Sequence, residues 1–162
     1  MDRIWSPWRM EYIEAHRDED DMTCVFCALL ADGGEEHRVL ERRELAFVTL
    51  AKYPYNPGHL LVLPTRHVGD LEEVEPDEAA EVFELLRRSA AALSETLEPH
   101  GFNIGLNLGR AAGAGIPEHL HWHVVPRWSG DTNFMPVIGE TRVLPELLEQ
   151  TYERLAPRFR PA

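Results

Sequence analysis

The sequence has few cysteines, few lysines and a deficit of positive charge. Its 162 residues include two cysteines and a single lysine, Lys52, and 16 Lys or Arg residues stand against 28 Asp or Glu, a formal net charge of −12. A protein that coats nucleic acid needs clustered basic residues to displace counterions from phosphates, so this composition disfavours a nucleic-acid partner. With 44% apolar residues, the chain can bury a core large enough to fold without disulfides.

Long apolar runs are also missing. No stretch of about 18 consecutive apolar residues predicts a membrane-spanning helix, and residues 1–8 lack the apolar run of a signal peptide. We therefore expect a cytoplasmic protein with no membrane partner, in a compartment that keeps thiols reduced.

The apolar patterning predicts an α+β fold. Strands are predicted at five places, separated by turns: residues 38–41, 45–50, 59–64, 102–108 and 119–125. A short helix follows Cys24, a long helix starts at Pro76 and ends before residue 100, and a terminal helix starts near Pro145. Strands on both sides of one long helix, with short hairpin connections, favour a mainly antiparallel sheet. The apolar positions predicted to form the buried faces of the two longer helices are Ala79, Val82, Phe83, Leu86, Ala90, Leu93 and Leu97, and Leu147, Leu148, Thr151, Tyr152 and Leu155.

Residues 1–23 differ in character from the rest of the chain. They contain an acidic run at residues 18–21, which favours a solvated link because like charges repel. They also contain Trp5 and Trp8, and tryptophans seldom stay in water. We expect an arm outside the sheet whose tryptophans pack on this domain or on a partner subunit.

Three histidines, His119, His121 and His123, alternate with apolar residues. In an extended strand alternate side chains share a face, so the three imidazoles should point one way while the residues between them point into the core. Side chains two apart on a strand lie about 6.5 Å apart and those four apart about 13 Å, too far for all three to surround one tetrahedral zinc. Neutral imidazole serves as a metal ligand and as a nucleophile or general base, so the pattern predicts one metal-binding task and one catalytic task.

The two cysteines form a Cys-x-x-Cys pair at Cys24 and Cys27. In a reducing compartment such a pair suggests a metal site or a redox pair before a structural disulfide.

These motifs together resemble a known family. The sequence His-apolar-His-apolar-His-apolar-apolar, which runs from residue 119 to residue 125, is similar to the signature of the histidine triad (HIT) family of nucleotide hydrolases and transferases. The resemblance extends over residues 24–134 and includes the Cys-x-x-Cys pair, the segment 56–67, the segment 103–107 and the continuation of the triad into residues 126–128. Residues 123–134 and the Trp-rich arm look most like a longer bacterial branch that contains diadenosine tetraphosphate phosphorylases.

The resemblance implies a HIT-like fold with a five-stranded sheet, one long helix and a C-terminal helix. It also implies three segments: an arm at 1–23, the HIT domain at 24–134, and a helical segment at 135–162 that packs on the same domain. A homodimer is expected on the same ground.

Catalytic roles follow from the resemblance residue by residue. His121 would attack the α-phosphorus of a nucleotide and form a nucleotidyl-histidine that water or phosphate resolves. A main-chain carbonyl near His59 would accept a hydrogen bond from the other ring N–H of His121 and so fix its tautomer. His123 would donate to the charge that builds on the phosphate oxygens, and His59 would belong to the same site.

The metal set is implied in the same way. In family members with a Cys-x-x-Cys pair, zinc is held by the two cysteines, the histidine of the Pro-x-x-His segment and the first triad histidine. These positions correspond to Cys24, Cys27, His67 and His119. Two thiolates and two imidazoles complete a closed tetrahedral set, which is typical of structural zinc.

Five further residues are predicted to bind substrate. Asn107 matches a family asparagine that contacts phosphate or ribose, and Arg110 and Gly115 lie in the Gly-rich loop before the triad. Trp128 would stack on a base or line the phosphate path. Thr49 stands where many HIT domains carry an Asp that holds the ribose hydroxyls, so its contact with ribose would be weaker. The loop also departs from the family at residues 115–117, where many members carry Ser or Gln.

We therefore predict an enzyme that cleaves dinucleoside polyphosphates at the α-phosphate, by phosphorolysis. Two alternatives stay open: simple hydrolysis of dinucleoside polyphosphates or nucleoside phosphoramidates, and a non-catalytic, zinc-stabilised nucleotide-binding module. The three remaining histidines, His16, His37 and His100, are expected to be ordinary surface residues.

Overall fold

Strands and helices succeed one another along the part of the chain that the structure, a computed structural model, describes: residues 24–31, 38–131 and 146–159. The strands are β1 (Val39–Arg42), β2 (Ala46–Leu50), β3 (Leu60–Pro64), β4 (Gly101–Leu106) and β5 (Trp122–Arg127). The helices are α1 (Val25–Ala31), α2 (Pro76–Leu97) and α3 (Leu148–Phe159), with 3₁₀ turns at Leu71–Glu73 and Arg110–Ala112. None of these helices is long and apolar enough to cross a membrane. The predictions for Trp5, Trp8, His16, His37 and Pro145 fall outside the described residues.

Within the described residues, the strands form one sheet in the order β1-β2-β3-β5-β4, and every neighbouring pair is antiparallel. The predicted fold class, with a five-stranded antiparallel sheet, a long helix and a C-terminal helix, is confirmed. The register places His123 opposite Leu61 of β3 and Gly105 of β4, and Leu61 in turn lies opposite Thr49 of β2. Residues paired directly across strands share a face, so this row of side chains runs across the sheet on the His123 side.

The two faces of the sheet are covered differently. On one face, residues such as Val48 and Val124 belong to the core that α2 and α3 complete. On the other face, Phe47 and Leu63 pack with Phe26 of α1. Because His123 shares the face of Leu61, a member of this second cluster, His123 lies on the α1 side of the sheet.

The strand that carries His123 begins later than predicted. β5 starts at Trp122, so His119 and His121 precede the strand. The ladder with β3 ends at the pair Val62 and Trp122. Backbone groups of alternate residues face the same neighbouring strand, so the next β3 residue after Val62 that faces β5 is Pro64, which has no N–H to donate. The N–H of Leu120 is bonded instead to the carbonyl of Val68, at 2.8 Å. The prediction of one strand over 119–125 is therefore wrong at its start.

The long helix buries a different face from the predicted one. Val82 and Leu93 are buried as expected, but Phe83 is 70% exposed and Leu85, which was left out of the predicted face, is fully buried. Successive helix positions differ by about 100° around the axis, so an apolar residue next to a core position can point to solvent. At the start of α2, Glu78 forms a capping box with Glu75. The carboxylate of Glu78 also accepts hydrogen bonds from Nε and Nη2 of Arg66, at 2.9 and 2.8 Å.

The terminal helix begins at Leu148, just after the predicted position near Pro145. Thr151 and Leu155 are buried against the core, whereas Leu147 precedes the helix and is 66% exposed. The prediction for Leu147 is wrong because a helical face cannot include a residue outside the helix.

Gly58, in the turn before β3, lies close to two leucine side chains of α2. Its φ of +76° is left-handed, and a Cβ there would lie 2.5 Å from Leu97 Cδ1 and 2.9 Å from Leu93 Cδ2. We expect Gly58→Ala to lower the free energy of unfolding by about 2–4 kcal/mol, from about 1 kcal/mol of backbone strain and 1–3 kcal/mol of overpacking. The matched control is Gly130→Ala, since Gly130 has φ +82° but nothing within 4 Å of its added Cβ. Urea titration should show the larger loss for Gly58→Ala; equal losses would contradict the packing argument.

Candidate active site and metal site

Four sulfur and nitrogen ligand atoms converge where α1, the segment after β3 and the segment before β5 meet. The side chains are Cys24, Cys27, His67 and His119, whose ligand atoms all lie within 4.8 Å of one another. The Sγ of Cys24 lies 3.4 Å from Nδ1 of His119, and the Sγ of Cys27 lies 3.4 Å from Nδ1 of His67 and 3.6 Å from Nδ1 of His119. Tetrahedral zinc, with Zn–S of about 2.3 Å and Zn–N of about 2.0–2.1 Å, separates S from N by about 3.6 Å. The set therefore fits a tetrahedral metal ion.

The ring of His119 is oriented for metal binding by its second nitrogen. Its Nε2–H donates to the carbonyl of Pro64 at 2.9 Å, which leaves the lone pair of Nδ1 directed at the two cysteines. Burial lowers the pKa of His119, so the ring is neutral at pH 7, the state that a ligand requires. Burial, with Cys24 beside it, raises the pKa of the Cys27 thiol to about 11, an effect that a bound divalent cation would reverse.

His121 is presented as a neutral imidazole with one defined tautomer. Its side chain is 6% exposed, and burial lowers its pKa. The Nδ1–H donates to the carbonyl of His119 at 2.8 Å, so Nε2 carries the lone pair. The prediction that a carbonyl near His59 accepts this proton is wrong: the ring folds back on the carbonyl two residues earlier in the chain. Neutral imidazole with an unprotonated Nε2 is the form that can act as a nucleophile.

His59 and His123 form a second, directional pair. The backbone N–H of Tyr55 donates to Nδ1 of His59 at 3.1 Å, so the proton of neutral His59 is on Nε2. That nitrogen lies 3.0 Å from Nδ1 of His123 and donates to it, which places the proton of His123 on its own Nε2. The chain of hydrogen bonds thus makes Nε2 of His123 a donor.

The metal site and the histidine pair adjoin each other. The ring of Phe26 packs on His119 with centroids 5.5 Å apart and on His121 with centroids 5.2 Å apart. The rings of His121 and His123 are also 5.2 Å apart. A ring with an unprotonated Nε2 and a ring with a donor Nε2 are therefore neighbours, an arrangement that suits attack on a phosphorus whose oxygens gain charge.

For the five predicted substrate-binding residues, the structure gives burial and local partners. Asn107 and Gly115 are half-buried in the loop between β4 and β5, while Arg110 is exposed and forms an ion pair with Glu118 at 3.1 Å. Trp128 is half-buried just after β5. Thr49 is 1% exposed and donates its hydroxyl to the carbonyl of Arg38 at 2.9 Å.

Sequence reasoning missed several residues that hold the site. Tyr55 stacks on His59 with centroids 4.8 Å apart and on His123 at 5.8 Å. Asn56 donates from Nδ2 to the carbonyl of Pro126 at 2.9 Å and to Asp131 at 2.8 Å. The signal available in the sequence was the turn at residues 55–58 directly before His59; the partners of that turn are distant in sequence and could not be read from it.

Asp131 joins the turn before His59 to the segment after β5. Besides Asn56, its carboxylate accepts from Arg127 at 2.6 and 2.8 Å and from the N–H of Trp128 at 3.2 Å. These donors, chiefly the Arg127 guanidinium, hold the pKa of the Asp131 carboxyl far below its ordinary range. The turn and Trp128 are thus anchored to the same charged group.

Comparisons with known proteins agree with this geometry. The profile of the HIT domain matches residues 33–130. Over 165 aligned residues, 98% of this chain and 85% of the relative, the sequence is 42% identical to a protein of Mycobacterium tuberculosis named AP-4-A phosphorylase.

Solved structures show the same fold. A zinc-bound histidine triad family protein from Mycobacterium smegmatis superposes with a TM-score of 0.70 at 33% identity, over 85% of this chain and 94% of that one. A hypothetical histidine triad nucleotide-binding protein from Sulfolobus tokodaii superposes with a TM-score of 0.66 at 27% identity, over 84% of this chain and 89% of that one.

Proposed function

Because this chain belongs to the HIT family, we propose that it is an enzyme that cleaves dinucleoside polyphosphates, of the diadenosine tetraphosphate type, at an α-phosphate. The observation that carries the proposal is His121, a buried neutral imidazole whose Nδ1–H is bonded to the His119 carbonyl and whose Nε2 bears the lone pair. The 42% identity to a relative named AP-4-A phosphorylase, over nearly the whole chain, supports the substrate class.

The reaction is proposed to proceed in two displacements. In the first, Nε2 of His121 attacks the α-phosphorus, the bond to the bridging oxygen breaks, and the rest of the substrate leaves as a nucleotide. In the second, an oxygen of inorganic phosphate attacks the same phosphorus, and the phosphorus–nitrogen bond breaks to regenerate His121. For diadenosine tetraphosphate the products are one ATP and one ADP.

His123 is proposed to stabilise charge during both steps. Its Nε2–H, placed by the donation from His59, would meet an oxygen of the α-phosphate as negative charge builds there. His59 fixes this tautomer, and Tyr55 fixes the tautomer of His59 through its N–H.

The predicted binding residues are proposed as substrate contacts. Asn107 and the main chain around Gly115 would contact the phosphates. Arg110 would leave its exposed ion pair with Glu118 and contact a phosphate instead. Trp128 would flank a base or the phosphate path. Thr49 lies in the same cross-strand row as His123. Its hydroxyl already donates a hydrogen bond to the carbonyl of Arg38, so its oxygen would only accept a hydrogen bond from a ribose hydroxyl.

A structural zinc ion is proposed at Cys24, Cys27, His67 and His119, whose spacing fits tetrahedral coordination. Four protein ligands fill that geometry, so zinc would supply cross-linking and neutralise two thiolates, with no position for substrate. It would tie α1 to the segments that follow β3 and precede β5.

The proposal also covers the segment boundaries of the chain, its oligomeric state and its cellular compartment. We propose that residues 24–134 are the HIT domain, that residues 1–23 form an arm and residues 135–162 a helical segment on the same domain, and that the chain is a homodimer. A reducing, cytoplasmic setting suits two free cysteines that serve as ligands.

The experiment that tests this function follows products with and without inorganic phosphate. Incubation of the zinc-loaded protein with diadenosine tetraphosphate should give ATP and ADP in equal amounts when phosphate is present. AMP in place of ADP at saturating phosphate would show that water is the second acceptor and would make the protein a hydrolase. Binding of the dinucleotide without any product would favour the non-catalytic module and contradict the proposed activity.

A further inference from the structure

A short loop between β2 and β3, residues 51–58, borders the proposed catalytic histidines and is held at both ends. The N–H of Ala51 donates to the carbonyl of His59 at 3.0 Å, and the N–H of His59 donates to the carbonyl of Asn56 at 3.1 Å. The amide of Asn56 adds its bonds to Pro126 and Asp131. The loop is therefore anchored where it meets His59.

Two tyrosines in this loop expose aromatic surface, and one of them contacts the histidine pair. Tyr55 is 38% exposed although its ring stacks on His59 and His123, so the same ring borders both the histidine pair and solvent. Tyr53, two residues earlier, is 59% exposed. Exposed aromatic rings on a loop that reaches the histidine pair offer planar surface on which a base can stack.

The same loop carries an unusual cation. Lys52 is the only lysine of the chain, is exposed, and places its Nζ 5.8 Å from the centroid of the Tyr53 ring. Within residues 24–31, 38–131 and 146–159, eight of the ten arginines form ion pairs with carboxylates, whereas Lys52 forms none. Arg42, which is not paired in this way, donates to the carbonyl of Leu30 at 3.1 Å. The paired arginines are Arg43, Arg66, Arg87, Arg88, Arg110, Arg127, Arg154 and Arg158. In a chain of net charge −12, a positive charge that no described carboxylate neutralises is available to an anionic ligand.

We propose that Lys52 and Tyr53 form a subsite for the leaving half of a dinucleoside polyphosphate. Tyr53 stacks on the base of that half, and Lys52 contacts its phosphates. This inference rests on the proposed function, because it concerns the part of the substrate whose α-phosphate is not attacked by His121. It makes this loop the element that distinguishes a dinucleotide from a mononucleotide.

Three substrates separate the two contacts. Diadenosine tetraphosphate has both a second base and a phosphate chain, adenosine 5′-tetraphosphate has only the chain, and adenosine 5′-phosphoramidate has neither. Tyr53→Ala should lower kcat/KM at least about 5-fold for the first substrate alone, since stacking on one base contributes about 5-fold or more to binding. Lys52→Ala should lower kcat/KM for the first two substrates, with a loss that shrinks as salt is added.

Conservative and remote variants provide the controls. Tyr53→Phe keeps the aromatic face and Lys52→Arg keeps the charge, so both should retain wild-type selectivity. Phe83→Ala removes an aromatic ring that is 70% exposed on α2, and should change none of the three rates. Equal losses on all three substrates, or no loss on any, would overturn the proposed subsite.

A binding measurement separates failure of this subsite from failure of the proposed reaction. In a His121→Ala background, calorimetry should show that Tyr53→Ala weakens binding of diadenosine tetraphosphate at least about 5-fold and leaves binding of AMP unchanged. Equal affinities with and without Tyr53 would overturn the subsite even if wild-type protein cleaves the dinucleotide. A wild-type protein that binds through Tyr53 but yields no product would overturn the proposed reaction alone.

Discussion

His121→Ala should lower the rate of dinucleotide cleavage by about 10⁴-fold or more, because it removes the nitrogen that is proposed to form the covalent bond. The replacement leaves the carbonyl of His119 without its donor but removes no metal ligand, so folding and zinc content should stay at wild-type levels. Initial rates with diadenosine tetraphosphate and phosphate, together with zinc analysis and thermal melting, measure the three quantities. His121→Asn, which is closer in shape, should be equally inactive.

The control for His121 is a histidine of the same chain outside the site. His100 is exposed and contacts Ser129, and His100→Ala should keep full activity. Protein denatured in alkali, where a phosphorus–nitrogen bond survives, should carry a nucleotidyl group in the wild type and none in His121→Ala. Turnover by His121→Ala within tenfold of the wild type would eliminate the covalent mechanism.

Cys24→Ser with Cys27→Ser should release the metal and lower the free energy of unfolding by more than about 4 kcal/mol, because loss of a metal ranks among the most destabilising single events. For a chain of this length such a change lowers Tm by about 10 °C or more. Both cysteines approach His119 or His67 closely, and a serine hydroxyl binds zinc far more weakly than a thiolate. Zinc analysis and calorimetric melting of freshly purified protein are the measurements.

Removal and return of zinc from unaltered protein provide the matched control. Chelation should lower Tm of the wild type toward that of the double variant, and added zinc should restore it only in the wild type. A double variant that keeps both the wild-type Tm and one zinc per chain would exclude the proposed ligand set. Zinc-free wild type with unchanged Tm would favour a redox role for the cysteines.

The fold followed from local patterns more readily than the details of the site. Alternating apolar residues and turn signals predicted the five strands, and helical spacing predicted α2, but the spacing could not decide between Phe83 and Leu85 for the buried face. Such patterns define a face only to within about one residue, and the contact with the sheet decides the rest. Pro64 could have been used to predict the late start of β5, since it has no N–H to donate toward that strand.

In the site, too, some features were predicted from the sequence and others were not. The resemblance identified four candidate metal ligands by their positions in the motifs, and the structure places their ligand atoms within 4.8 Å of one another. The partner of the His121 Nδ1–H was predicted wrongly, since a carbonyl has no signature in sequence. Tyr55 was missed for a related reason: its stacking on His59 and His123 depends on a turn whose anchors, Pro126 and Asp131, lie 70 and 75 residues away from Asn56.

His119 contributes its imidazole to the metal set and its carbonyl to His121. The two contributions differ in how they respond to substitution, because every amino acid has a carbonyl and only a few have a ligand atom. A replacement at this position therefore deletes the ligand outright but only relocates the hydrogen-bond acceptor. The catalytic defect of such variants should follow the displacement of the main chain and not the chemistry of the new side chain, so that variants with equally lost zinc can differ in residual rate.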